Sequence, residues 1–132
     1  DPPTAPPPVR VLRAFPIGRY LHAFDFVVSA VGYNSYHELL LSGTPALFVP
    51  NEHPMMDDQG ARAMHAERMG WGLGLRTSEI YRLPDRLARL LDADERRAMR
   101  RRMAALPQRN GAVEAARILA EMAFTLRADR PG

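Results

Sequence analysis

Four short apolar runs alternate with longer segments of helical period, and this alternation constrains the fold more than any other feature of the sequence. The runs cover residues 9–15, 26–30, 46–50 and 73–76 and are rich in β-branched and apolar side chains, as strands are. They show little polar alternation, which is typical of strands that are covered on both faces of a parallel sheet. Strands that alternate with helices indicate an α/β fold. We therefore expect a parallel sheet of about four strands flanked by helices.

Glycine, proline and short polar residues mark the expected ends of the helices. Ser35 and Glu38 have the spacing of a capping box, which predicts a helix over residues 35–42 that ends at Gly43. Asp57 or Asp58 is a natural N-cap for a second helix, which ends at Gly70. Further helices are predicted from Pro84 to Leu91, from an Asp94 cap to Leu106, and from Gly111 to about Leu126. A complete doubly wound nucleotide-binding domain has about six strands, so this Rossmann-like sheet is expected to be partial.

Composition indicates one globular domain and excludes several classes of protein. The 132 residues are 46% hydrophobic and 25% charged, which suits a single domain. We predict a proline-rich linker over residues 1–8, the domain over 9–127 and a disordered tail over 128–132. The chain has no cysteine, which excludes disulfides and thiolate metal sites, and no apolar run approaches the ~20 residues that span a bilayer. All 18 basic residues are arginine and the net charge is only +3, so nothing predicts a nucleic-acid partner.

The segment over residues 26–59 carries the most informative chemistry. An apolar strand ends near Ala30 and leads through Gly32 into a helix. Such a turn, at the carboxyl end of a parallel strand, is where anions bind. Gly32 lets the backbone approach a ligand closely, and the amides of Asn34, Ser35 and Tyr36 would donate to a phosphate at the positive end of the helix dipole. Since the sequence has no P-loop, the expected anion is a diphosphate that leaves rather than a phosphate that reacts.

Several motifs in this segment resemble the donor-binding half of GT-B glycosyltransferases. They are Gly32-Tyr33-Asn34-Ser35-Tyr36-His37-Glu38, then Gly43-Thr44-Pro45, Pro50 and Asp58-Gln59. The pattern is similar to the GWNS…E…G-x-P…DQ signature of plant and macrolide UDP-glycosyltransferases, and to the C-terminal domain of the family 28 peptidoglycan GlcNAc transferase. The rhythm of strands and helices agrees over residues ~9 to ~125, while the specific motif is confined to roughly residues 26–62.

The resemblance implies a role for each matching residue. Gly32, Asn34 and Ser35, with Tyr33 between them, would hold the diphosphate of a nucleotide sugar. Glu38 would accept hydrogen bonds from the ribose hydroxyls, Asp58 and Gln59 would contact the transferred sugar, and Phe15 and Pro16 would lie against the base. One position departs from the family pattern. Relatives carry a histidine or an arginine near the position of Ala30, so Arg19 or an arginine outside this chain would have to neutralise the phosphate.

The resemblance also implies a reaction. The donor would be a UDP-sugar or a dTDP-sugar. Its nucleoside diphosphate would be displaced from the anomeric carbon with inversion, without a metal or another cofactor. The acceptor site and the general base would belong to a missing N-terminal domain, so no catalytic residue is assigned in this chain and the chain alone is expected to be inactive. The location would be cytoplasmic, with a peripheral membrane contact if the acceptor is linked to a lipid.

Other interpretations stay open at this stage. Glu38 could serve only as the capping-box partner of Ser35, Asp57 or Asp58 only as a helix cap, and Asn34 only as a residue in a left-handed turn. The chain could also be a noncatalytic donor-binding subunit that docks a partner chain, or an interaction domain without a ligand. A sugar-nucleotide epimerase or hydrolase of the same fold would need His37 or His53 as its catalytic group.

Four further patterns are explained without a ligand. The glycine run over residues 70–74 follows a helix rather than a strand, so it fails the context of a dinucleotide site. Asp92-Ala93-Asp94 matches a metal-binding DxD, yet aspartates at a helix junction are ordinary caps. The four histidines lack the spacing of metal ligands. The five arginines between residues 95 and 103 indicate a solvated helix face, with an anionic membrane surface as the alternative.

Overall fold

The computed structural model describes residues 8–107 and 111–128 and contains a three-stranded parallel sheet. The strands are β1 (Val27–Ala30), β2 (Ala46–Val49) and β3 (Leu73–Gly74), in the order β1-β2-β3. Val27 lies opposite Ala46, and Leu47 lies opposite Leu73. Because both pairings are parallel, all three carboxyl ends lie at one edge of the sheet.

The part of the chain that the structure describes also forms seven helical segments. They are the 3₁₀ helices η1 (Ile17–Ala23) and η2 (Thr77–Arg82), and the α-helices α1 (Tyr33–Ser42), α2 (Gln59–Met69), α3 (Leu83–Leu91), α4 (Ala93–Ala104) and α5 (Gly111–Ala128). Within the described residues, no helix is long and apolar enough to cross a bilayer. The predicted linker and tail lie outside the described residues, except for Pro8 and Ala128.

The core is built around the central strand. Ala46, Leu47 and Phe48 are successive residues of β2 and are all buried. Because successive strand residues point to opposite faces, β2 is covered on both sides, as a parallel sheet requires. Further core side chains come from α1, β3 and the helices α3 and α4: Leu39, Leu40, Leu73, Leu90, Met99 and Met103.

Two glycines end helices as the sequence predicts. Gly43 follows α1 with φ +67°, and Gly70 follows α2 with φ +68°. This left-handed conformation lets the backbone N–H of each glycine bond to carbonyls in the last turn, and glycine adopts it without steric cost. The Asp58 cap of α2 and the start of α3 near Pro84 are also confirmed.

The predicted strand over residues 9–15 is wrong. Pro8 to Phe15 contain no strand, and their apolar side chains Val9, Val11, Leu12 and Phe15 are exposed. Strand propensity reports how well a side chain packs on a neighbouring strand rather than an intrinsic backbone preference. In the structure this run pairs with no other strand. The sheet therefore has three strands instead of four.

The predicted capping box is also wrong. Helix α1 begins at Tyr33, its N-cap is Gly32, and no side chain caps it. Glu38 is consequently the sixth residue of the helix and cannot reach back as a capping partner. Asn34 lies inside the same helix, and the described residues contain no non-glycine residue with positive φ. β1 ends at Ala30, three residues before α1 starts, and the helix follows it directly through Val31 and Gly32. Helix α4 is similarly capped by Asp92 rather than Asp94.

Candidate functional site

The carboxyl ends of β1 and β2 lead directly to the first turns of α1 and α2. Val31 and Gly32 connect β1 to α1, and residues 50–58 connect β2 to α2. In open α/β sheets the ligand crevice lies outside the carboxyl ends of the strands. The start of the family motif at Gly32 and its end at Asp58-Gln59 therefore lie at this edge, while Gly43-Thr44-Pro45 precede β2 at the opposite edge.

The first turn of α1 is uncapped and open. No side chain caps it, and a Cβ added at Gly32 would meet nothing within 4 Å. Asn34 and Ser35 are exposed beside it. The first backbone N–H groups of a helix have no partner within the helix, and they carry the positive end of its dipole. The turn can therefore donate several hydrogen bonds to one anion.

Glu38 lies in a groove between η1 and α1, which we call the η1–α1 groove. The groove encloses about 500 Å³ and is lined by Pro16, Gly18, Arg19, His22, Glu38, Leu41 and Ser42. The Glu38 carboxylate rests against the backbone of Gly18, where an added Cβ would lie only 3.3 Å from Oε2. Gly18, which sequence reasoning missed, thus leaves room for this carboxylate. Thr44 fixes the other end of η1, since its hydroxyl donates to the Leu21 carbonyl at 2.9 Å.

The structure does not bring all the predicted donor-binding residues together. Pro16 and Glu38 line the η1–α1 groove, next to the helix turn that carries Gly32, Asn34 and Ser35. Tyr33 faces the opposite flank of α1, where its ring packs on His37 with centroids 4.4 Å apart. There it lines a groove of about 1000 Å³ between α1 and α2. Phe15 is 98% exposed and lines neither groove.

Asp58 and Gln59 begin α2 and have different surroundings. Asp58 is exposed, and its Oδ1 accepts from the Ala61 amide at 2.8 Å. Gln59 is only 2% exposed. Its Oε1 accepts from the backbone amides of Val31, at 3.2 Å, and Asn51, at 3.0 Å. Gln59 therefore ties together the segments that follow β1 and β2.

Arg62 is a site residue that sequence reasoning missed. Its Nε donates to the Val31 carbonyl at 2.9 Å, and its Nη2 pairs with Asp57. A guanidinium thus lies beside the turn that follows Ala30. Because Val31 and Arg62 are 31 residues apart, no local pattern marks their contact.

Tyr36 belongs to the core. Its ring packs against Phe48, with centroids 5.6 Å apart, and its buried hydroxyl has no hydrogen-bond partner within residues 8–107 and 111–128. Burial raises the pKa of the Tyr36 phenol, and the positive charge of Arg62 offsets part of that rise. The phenol therefore stays protonated at neutral pH.

The patterns that sequence analysis set aside have structural explanations. The carboxylate of Asp92 accepts from the amides of Asp94, at 2.7 Å, and Glu95, at 3.2 Å, so it caps α4. Gly70 ends α2, and Gly72 packs against the Ala46 carbonyl. Among the described residues, no group of three His, Cys, Asp or Glu side chains is placed to hold a metal.

The parallel sheet and its flanking helices define the Rossmann-like C-terminal domain of GT-B glycosyltransferases. The crystal structure of the glycosyltransferase SnogD from Streptomyces nogalater matches 89% of the chain with a TM-score of 0.53 and 25% identity. Residues 5–118 match the glycosyltransferase family 28 C-terminal domain, and the chain belongs to this family.

A curated relative agrees with this assignment. UDP-N-acetylglucosamine–N-acetylmuramyl-(pentapeptide) pyrophosphoryl-undecaprenol N-acetylglucosamine transferase of Brucella anthropi is 34% identical over 107 residues, which are 80% of this chain. The chain spans only 28% of that protein and 31% of SnogD. It therefore corresponds to one part of larger glycosyltransferases.

Proposed function

We propose that this chain is the donor-binding half of a glycosyltransferase and that it holds the nucleoside diphosphate of a nucleotide sugar. One observation carries the proposal: the uncapped N-terminus of α1 lies at the carboxyl end of β1, with the Glu38 carboxylate further along the same helix. A positive helix end suits a diphosphate, and a carboxylate accepts hydrogen bonds from hydroxyls. Membership of the family supports the same assignment.

The proposed contacts are given in the order of the parts of the ligand: the diphosphate, the ribose and the base. The amides of the first turn, with the Ser35 hydroxyl, take the diphosphate. They would stabilise the charge that develops on the leaving group, an electrostatic contribution of the kind that is often the largest in catalysis. Glu38 takes the ribose hydroxyls in the η1–α1 groove. Pro16, at the edge of this groove, and the neighbouring Phe15 take the base.

The transferred sugar would lie near the first turn of α2. Asp58 uses Oδ1 to cap this helix, which leaves Oδ2 to accept a sugar hydroxyl. The oxygen of Gln59 is occupied by two backbone amides, so Gln59 would contact the sugar through its amide nitrogen.

The reaction proposed for the whole enzyme is an inverting displacement without a metal. An acceptor oxygen attacks the anomeric carbon, the bond from this carbon to the phosphate oxygen breaks, and the nucleoside diphosphate leaves with the bonding electrons. The acceptor site and the general base that takes the acceptor proton would come from an N-terminal domain. We expect uracil or thymine as the base, because the Brucella anthropi relative is named for a UDP-sugar.

No contact among the described residues favours the epimerase or hydrolase alternative. His37 packs between the rings of Tyr33 and Tyr36, and the Nδ1 of His53 accepts from the Met55 amide at 3.2 Å. Neither histidine lines the η1–α1 groove. A noncatalytic subunit with a separate partner chain would use the same donor site, and nothing in the described contacts favours it over a fused enzyme.

The arginine run on α4 gives a membrane contact little support. Arg96 donates to the Leu90 carbonyl at 2.6 Å, Arg100 donates to the Phe24 carbonyl at 3.0 Å, and Arg97 pairs with Asp94. These guanidiniums are engaged with the protein itself. The predicted solvated face is correspondingly limited to the exposed Arg97, Arg101 and Arg102.

Calorimetric titration of the 132-residue chain with UDP, dTDP, GDP and ADP tests the proposal. We expect saturable binding of a uracil or thymine nucleotide, weakened about tenfold in Glu38→Ala and in Ser35→Ala, because each variant removes about one hydrogen bond to the ligand. Glu114→Ala removes a carboxylate that pairs with Arg117 on α5 and serves as the matched control. A folded chain that binds none of the four nucleotides, or a Glu38→Ala variant that binds like the wild type, would contradict the donor site.

A further inference from the structure

Both backbone polar groups of Val31 are bound by side chains of α2. The Val31 N–H donates to Gln59 Oε1 at 3.2 Å, and its carbonyl accepts from Arg62 Nε at 2.9 Å. The sheet pairing of β1 ends at Ala30, opposite Val49, so Val31 lies beyond the ladder. Val31 is also fully buried, and buried backbone groups need partners. Here α2 supplies the hydrogen bonds that a neighbouring strand would supply elsewhere.

These two contacts fix the orientation of consecutive peptide planes. The carbonyl of Val31 and the N–H of Gly32 belong to one rigid planar unit, so holding the carbonyl also sets the direction of the Gly32 N–H. The N–H of Val31 is held in the same way by Gln59, which fixes the preceding plane. The entry into the first turn of α1 is therefore determined from α2 and not by local sequence alone.

Arg62 is itself held in place. Its side chain is only 21% exposed, and the ion pair between its Nη2 and Asp57 anchors the guanidinium as well. A guanidinium is a rigid planar fork that can serve two acceptors at once, which the point charge of a lysine does less well. A charged donor also polarises the peptide that it binds, so the Gly32 N–H becomes a stronger donor.

We infer that Arg62 and Gln59 are positioning residues, which hold the turn between β1 and α1 so that its N–H groups face a diphosphate. The inference rests on the proposed donor site and deepens it. The two side chains act on the diphosphate alone, because the nucleoside would lie further along α1 in the η1–α1 groove.

The ratio of the affinities for UDP and for uridine tests this inference. We would titrate the 132-residue chain, the Arg62→Met and Arg62→Lys variants, and Arg68→Met as the matched control, with binding followed by NMR. Arg68 lies near the end of the same helix, so its replacement makes the same change in charge on the same element. The NMR spectrum of each variant also reports whether it is folded at the temperature of the titration.

We expect Arg62→Met to weaken UDP binding about tenfold, roughly the effect of one lost charge-assisted hydrogen bond, and to leave uridine binding within a factor of ~2. Arg68→Met should change neither affinity. A purely structural role for Arg62 would weaken both ligands together, so equal losses, or an unchanged affinity for UDP, would overturn the inference.

The lysine variant keeps the test decisive if Arg62→Met does not fold. Arg62→Lys should also lose affinity for UDP, because lysine cannot hold the Val31 carbonyl and Asp57 in the same fixed geometry. A lysine variant that binds UDP like the wild type would show that charge alone matters and would overturn the positioning role. If the wild-type chain binds no UDP, the proposed function itself fails. Wild-type binding with an unchanged ratio in the variants overturns only the inference.

Discussion

Gly72 packs so closely against the central strand that there is no room for a larger side chain. It stands just before β3, and a Cβ added there would lie 2.7 Å from the Ala46 carbonyl oxygen and 2.8 Å from the Phe48 ring. Both neighbours belong to the buried central strand and cannot move aside cheaply. The glycine run of residues 70–74 thus reflects close packing of backbone on backbone rather than a phosphate site.

We expect Gly72→Ala to lower the free energy of unfolding by about 2 kcal/mol, the usual cost of overpacking a core. Urea denaturation measures this change. The matched control is Gly111→Ala, since a Cβ at Gly111 would meet nothing within 4 Å and alanine is favoured in a helix. If both variants unfolded at the wild-type midpoint, the close approach of Gly72 to β2 would be irrelevant to stability.

Residue by residue, the sequence predicts those parts of the site that are contiguous in the chain. Gly32, Asn34, Ser35 and Glu38 share one helix, so a motif and a helical period suffice to bring them together. The role of Gln59 as a clamp could not be predicted, because its partner Val31 is 28 residues away. The contact of Arg62 with Val31 could not be predicted for the same reason. Hydrogen bonds between distant backbone and side-chain atoms leave no local periodicity.

Helix α4 is the element whose arginine-rich sequence is most easily misread. Its buried face carries Met99 and Met103, while Arg100 reaches across to the carbonyls of Phe24 and Asp25 just before β1. The Gly70 end of α2 lies against the Arg102 side chain. The arginines therefore connect α4 to the segment that precedes β1 and to the end of α2, and the cap at Asp92 fixes where the helix begins.

The N-cap of α4 should make stability depend on pH. Hydrogen bonds from the amides of Glu95 and Asp94 lower the pKa of Asp92 below its ordinary value of 3.8. A carboxyl group with a lowered pKa in the folded state stabilises that state fully above pH 3.8, and this contribution is lost as the pH falls through the folded value. We therefore expect Asp92→Ala to be less stable than the wild type at pH 6, with a smaller difference at pH 2.5.

Urea denaturation of three proteins at both pH values checks this expectation. Asp92→Asn is the matched control, because asparagine also caps helices but carries no charge. It should stay close to the wild type at pH 6. A gap between the wild type and Asp92→Ala that is the same at pH 6 and pH 2.5 would show that the charge of Asp92 contributes nothing to the cap.

Elements were predictable wherever their ends carry a local signal. Gly43 and Gly70 mark the ends of α1 and α2 because only glycine adopts their backbone conformation easily. The start of α1 was misplaced because the helix follows β1 directly and is not capped by the nearest serine. The run over residues 9–15 was misassigned because a strand depends on a neighbour that sequence alone does not show.

At the scale of the whole molecule, β1 lies at an edge of the sheet without the usual features of an edge. Val28 is 53% exposed, and no charged residue occurs between Phe26 and Gly32. Natural edge strands are protected by charges, prolines or bulges, and parallel strands are normally covered on both faces. This edge therefore has the character of an interior strand.

The isolated chain can test the proposal that it binds the donor while another domain supplies the acceptor site and the general base. Glycosyl transfer needs a general base within hydrogen-bond reach of the acceptor, and we place both the base and the acceptor site on another domain. The 132-residue chain should therefore bind UDP yet release no detectable UDP from UDP-N-acetylglucosamine. A coupled assay for UDP, run with and without added acceptor lipid, measures this release. Saturable release that disappears in Glu38→Ala would contradict the proposal, because this chain alone would then contain a complete catalytic centre.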